Sequence, residues 1–195
     1  MNVGMANNMI PGTVFKKSDM GNTNGLDFLN KIFFITDGIM LSQIREITGI
    51  DSSTLQNWIK RGWVSKPKNK RYSKDQLARI LIINMLRKNT KLERISFILS
   101  YINGSANSRD DDIIPESILY DFITDIIDKI AAGGDDGKLQ EQVFSLKDVI
   151  DSCVHDYVEP VAGGTKRLKK ALEIIVLSYY STLITTYTEE LFDKL

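Results

Sequence analysis

Apolar residues recur along this chain at intervals of three and four, the spacing of one face of a helix. Leu41, Ile44 and Ile47 precede Gly49 and predict a first helix over 40–48 with glycine at its stop. Leu55, Trp58 and Ile59 predict a second, capped by Ser52 or Ser53 and ended at Gly62. Gln56, Asn57, Lys60 and Arg61 are left on its outer side. Trp63-Val64 then leads into Ser65–Lys70, where Pro67 and Asn69 signal a turn, and Arg71-Tyr72 returns as a small β-wing. Ser73 caps a third helix whose nearly continuous apolar run, LARILIINML, predicts burial on most sides. Residues 91–102 form a fourth, with Leu92, Ile95, Ile98, Leu99 and Ile102 along one face. Phe33-Phe34-Ile35, ahead of all four, reads as a short strand or a packing anchor.

The segment 104–112, GSANSRDDD, has loop composition and is expected to divide the chain. Beyond it the pattern predicts three more helices. The first starts near Pro115 and runs to about Ala132, the second starts at a capping-box-like Ser145–Asp148, and a long third begins at Gly163-Gly164-Thr165. Residues 133–137, GGDDG, read as a loop between the first two. The organisation expected is therefore a disordered arm over 1–30, a head over 31–103, a linker over 104–112 and a helical module over 113–195. The fold class is mainly α with one small β-wing.

Charge changes this picture. The chain is formally neutral, with 25 Lys and Arg against 25 Asp and Glu. Residues 52–94 nevertheless hold twelve cations against two acids, and residues 95–160 hold four against fourteen. A basic module is joined to an acidic one, and a basic face binds polyanions whatever the total. A helix presenting amides and cations, followed by a basic loop, suits reading a DNA groove while gripping phosphate.

The stretch TLQNWIKRG…KRYSKDQLARI resembles the MerR-like winged helix-turn-helix proteins, with a Thr-Leu-x-x-aromatic helix, a Gly stop and a basic wing ending near Tyr. The longer run MLSQIREITGI…TLQNWIKRGWVSKPKNKRYSKDQLARILIINML looks most like a bacterial family known as domain of unknown function 1836. The resemblance implies that Ser53, Thr54, Gln56 and Asn57 face the groove or its phosphates. It implies that Lys68, Lys70, Arg71 and Tyr72 are the wing's backbone contacts. MerR regulators commonly carry Arg and Tyr where this chain has Gln56 and Asn57, and their wing is usually longer. Gln and Asn are competent readers in their own right, each able to make a bidentate pair with an adenine edge worth ~1–3 kcal/mol of discrimination.

The function expected is sequence-specific double-stranded DNA binding by a homodimeric transcriptional regulator, dimerised through 113–195. The alternative is a protein-interaction adaptor on the same scaffold. A small-molecule effector is compatible with the Tyr179, Tyr180, Tyr187 and Phe122 set, which reads better as core or interface. No catalytic constellation, cofactor motif or four-ligand metal pattern stands out; Cys153 and His155 alone fall short of a zinc site. A single cysteine fits a reducing cytoplasm, and the first 25 residues lack a signal-peptide core. The longest uncharged run, Ile174–Thr188, is shorter than the ~20 residues a membrane span needs.

Overall fold

A computed structural model of the chain describes residues 8–23, 25–108, 110–132 and 139–195. The loop reading of 133–137, residue 109 of the expected linker, and residues 1–7 and 24 of the expected arm lie outside these. Among the described residues the chain is mainly helical, with eight α-helices and a 3-10 turn at Ser18–Met20. The helices are α1 Gly25–Ile32, α2 Leu41–Thr48, α3 Ser52–Lys60, α4 Lys74–Leu86, α5 Leu92–Asn103, α6 Glu116–Ala132, α7 Leu139–Cys153 and α8 Gly164–Phe192.

Helix α4 is the organising element. From Leu77 to Ile83 every side chain is buried, because α2, α5, α6 and α8 all pack against it. Its entry is fixed by a capping box. Ser73 Oγ accepts the Gln76 backbone N–H at 3.3 Å, and Gln76 Oε1 accepts the Ser73 N–H at 2.9 Å. Helix α6 packs in turn on α1, α4, α7 and α8. Apolar residues on both sides of 104–112 join one core cluster that includes Leu81, Leu99, Ile123 and Ile175. The loop itself is tied down at its end, where the buried Asn103 amide accepts the Ile113 and Ile114 N–H groups and donates to Ile114 O.

The N-terminal strap, the start of α7 and the wing differ from the sequence expectation. Residues 8–23 and 25–30, expected within a disordered arm over 1–30, form a packed strap and most of α1. Ile10 and Phe28 are fully buried, and Tyr120 Oη donates to Pro11 O at 2.7 Å. The strap crosses α4 so closely that a Cβ on Gly12 would lie 2.3 Å from Leu81 O, at a φ of +79° that only glycine adopts freely. Helix α7 begins at Leu139, so Ser145 lies inside it and is no cap. The expected β-wing has no ladder among the described residues, only isolated bridges pairing Ile39 with Tyr72 and Lys68 with Arg71.

Candidate nucleic-acid interface

Helices α2 and α3 meet around Gly49, whose φ of +70° closes α2 with its N–H on Arg45 O. The cap of α3 is Asp51, one residue before the serines expected for it. Asp51 Oδ1 accepts the Thr54 N–H at 2.8 Å, and the Ser53 and Thr54 hydroxyls both donate to the same carboxylate. An acidic side chain has won over hydroxyl caps because it also sits at the positive end of the helix dipole. Hydrogen bonds from Ser53 and Thr54 hold this carboxyl well below the usual range. In the free protein the two hydroxyls are therefore turned to Asp51.

Leu55 and Trp58 bury the inner face of α3 and leave Gln56, Asn57, Lys60 and Arg61 exposed on the outer one. Gln56 and Lys60 are the least engaged of these. Arg61 lies over the Trp63 ring at 5.1 Å, reaches Glu93 at 3.6 Å and donates weakly to Asn57 Oδ1 at 3.4 Å.

The wing is a tight turn. Arg71 N–H bonds Lys68 O at 2.9 Å, and both central residues, Asn69 and Lys70, have positive φ, +51° and +61°. This is the dihedral signature of a type I′ turn, whose favoured second residue is glycine. Lysine at that position costs ~1–2 kcal/mol of backbone strain. The turn leaves Lys68 and Lys70 exposed. Arg71 is exposed, but its Nη1 is drawn to Gly38 O at 2.9 Å. Tyr72, grouped with the backbone contacts by resemblance, is 4% exposed, and burial pushes its phenol pKa up. Its backbone exchanges two hydrogen bonds with Ile39, at 2.8 and 3.0 Å. Tyr72 thus anchors the base of the wing inside the core, and its side chain does not line the outer surface.

Two residues that set this geometry escaped the sequence reading. Gln76 Nε2 donates to Ser65 O, Ser65 Oγ and Lys66 O, fixing the chain that rises into the wing. Arg79 Nε donates to Trp63 O at 2.6 Å, and its Nη1 meets Glu116 Oε1 at 3.1 Å. A Gln three residues after a Ser cap, and one cation inside an apolar helix, were the available signals.

Elsewhere the other candidate features are occupied locally. At the start of α8, Glu159 accepts the N–H groups of Gly163 and Thr165 at 3.4 and 2.7 Å, filling the anion position of that helix. Two of the cations that follow are met by an acid and by carbonyls. Lys169 pairs with Asp151 at 2.9 Å, and Arg167 donates to Tyr101 O and Ile102 O. Among the expected aromatic set, Tyr179 is core and meets Tyr180 edge-on at 6.0 Å, while Tyr187 is exposed. Among the described residues no group of three or more His, Cys, Asp or Glu could hold a metal ion. No described helix is long and apolar enough to cross a membrane.

Residues 28–123 match the family model described as Domain of unknown function (DUF1836). The match runs from α1 through the helix-turn-helix, wing, α4 and α5 into α6, so it spans the 104–112 loop. The chain is also similar to "Uncharacterized protein YkrK" of Bacillus subtilis (strain 168), 29% identical over 96 residues. That alignment covers 47% of this chain and 41% of the relative, so the chain spans about two fifths of that protein's length. No solved structure matches.

Proposed function

We propose that this chain is a sequence-specific double-stranded DNA-binding protein of MerR-like winged helix-turn-helix type, acting as a homodimeric transcriptional regulator in the cytoplasm. Helix α3 lies in the major groove, where Gln56 and Asn57 read base edges and Lys60 and Arg61 flank them on phosphate. The turn at Lys68–Arg71 rests on the backbone. The observation that carries this reading is Lys70, an exposed lysine kept in a left-handed conformation that glycine would take without strain. Strain retained at an exposed tip is expected where the side chain has a use. The homodimer is part of this reading because one winged helix covers a single half-site and useful specificity usually needs two.

The roles of the two elements separate by substitution. Lys70→Gly relieves the turn and leaves stability unchanged or raised by ~1 kcal/mol. It weakens binding to all duplexes alike and flattens the salt slope by about 1. Asn57→Ala instead erases preference between sites, removing ~1–3 kcal/mol of discrimination. Fluorescence anisotropy on specific and random duplexes reads both, and equal loss of specificity from the two variants contradicts the division of labour.

A second reading, a protein-interaction adaptor on the same scaffold, has its own observation. Phe34 and Ile35 are 85% and 89% exposed in the loop between α1 and α2, beside the wing cations Lys68 and Arg71. Under that reading Lys70→Gly is silent, because no duplex is bound.

A further inference from the structure

Phe34 and Ile35 form the tip of the loop between α1 and α2, 85% and 89% exposed. Two adjacent bulky apolar side chains left in water forgo the gain of burial, and such a patch marks a surface kept for a partner. The tip is braced from both sides. Phe33 packs against the core, and its N–H donates to Leu29 O at 3.0 Å. Thr36 Oγ1 donates to Gly38 O at 2.8 Å and accepts the Gly38 N–H at 3.3 Å. Arg71 Nη1 donates to the same carbonyl, and a Cβ on Gly38 would lie 2.8 Å from the Arg71 Cβ. Loop and wing turn are therefore held as one unit, with an open groove of about 730 Å³ between them. The charged residues lining that groove are Lys68, Arg71 and Asp37, a net positive set.

We propose that Phe34 and Ile35 are an apolar wedge that enters the minor groove of duplex DNA beside the wing and partly unstacks one base step, with Lys68 and Arg71 on the flanking phosphates. The wedge rests on the DNA-binding reading and adds to it a contact that salt does not screen. Position and charge select this occupant. With α3 in the major groove and the wing turn on the phosphate backbone, an element bordering the wing apart from α3 meets the adjoining minor groove, and no residue of α3 lines the groove beside the tip. Proteins that enter the minor groove combine cations with inserted apolar side chains, Phe and Ile among them. An apolar protein surface would leave Lys68 and Arg71 without counter-charge, whereas a polyanion pairs them. The Phe34 ring offers a flat face on which an unstacked base can rest. Sites with a flexible pyrimidine–purine step under the wedge, TA or CA, are then favoured, because opening such a step costs least.

Binding of the full chain to random duplex, followed by fluorescence anisotropy across a salt titration, tests this with Phe34→Ser/Ile35→Ser and Phe34→Trp. Both positions are exposed, so the serine variant melts as wild type does. It binds duplex about tenfold more weakly. Its salt slope is unchanged, because the lost contact releases no counterions, in contrast to Lys70→Gly. In Phe34→Trp, the emission in excess of that from Trp58 and Trp63 is quenched by acrylamide in the free protein and shielded when duplex is bound. A wild-type chain that binds duplex no better than the serine variant overturns the wedge and leaves DNA binding standing, with the tip then free for a protein partner. Equal quenching of Phe34→Trp with and without duplex does the same. A loss of affinity that comes with a flatter salt slope also overturns the wedge, since the tip then acts only by placing the wing cations. A wild-type chain that binds no duplex at low salt overturns the wedge and the DNA-binding reading together.

Discussion

Glu116→Ala is expected to cost about 3–5 kcal/mol of folding stability, a large share of what a domain of this size possesses. The Arg79 and Glu116 side chains are 4% and 5% exposed, and their ion pair joins α4 to the first turn of α6. Removing one partner of a buried pair leaves the other charge desolvated without its counter-charge, and that penalty exceeds the net worth of the intact pair. Neighbouring contacts amplify the effect. Arg79 also holds Trp63 O, just past the end of α3, and Asp75 accepts the Ser117 N–H at 3.0 Å across the same junction. The apolar replacement Arg79→Met/Glu116→Leu is expected to recover much of the loss, because neither charge is then buried. Urea denaturation of the three proteins measures this, and a loss below ~1 kcal/mol for Glu116→Ala contradicts the role given to the pair.

The second large effect lies at Gly12. Gly12→Ala is expected to destabilise by about 2–5 kcal/mol, from left-handed strain plus collision with the α4 backbone. A Cβ there would stand 2.3 Å from Leu81 O, and a backbone oxygen in mid-helix has no room to yield. The strap must therefore lift, exposing Ile10 and breaking the bonds from Asn84 to Gly12 O and from Tyr120 to Pro11 O. Gly163→Ala is the matched control. Its φ is +83°, yet nothing lies within 4 Å of the added atom, so it carries the ~1–2 kcal/mol of strain alone. Thermal melts of the two variants isolate the collision as their difference. Equal losses at Gly12 and Gly163 contradict close packing of the strap.

What could be read from the chain divides along a physical line. Helices α2, α3 and α4 were legible because each combines periodic apolar positions with a local stop or cap. Gly49 ends α2, and Ser73 with Gln76 starts α4. The strap and α1 were not legible, because Ile10, Phe28 and Leu29 are scattered among Asn, Gly and Lys. Their burial depends on surfaces of α4 and α6 far along the chain. Loop composition at 104–112 suggested a boundary, but α4 and α6 pack directly across it.

The candidate site was partly legible in the same sense. Exposure of Gln56, Asn57, Lys60, Lys68 and Lys70 follows from the spacing of Leu55 and Trp58 and from the turn chemistry of Asn69. Tyr72 and Arg71 are placed by backbone contacts to Gly38 and Ile39, which no local pattern announces. Asp51 prevailed over Ser52 and Ser53 as the cap because its carboxylate accepts three bonds at once, a cooperation between neighbours that single-residue preferences miss.

The central claim is that the outer face of α3 and the Lys68–Arg71 turn grip duplex DNA. Its most direct test is the affinity of the full chain for a random duplex, titrated from roughly 50 to 200 mM salt. The account predicts binding at the low end, with log affinity falling linearly with log salt at about −0.9 per phosphate contacted. The absence of binding at the lowest salt contradicts it.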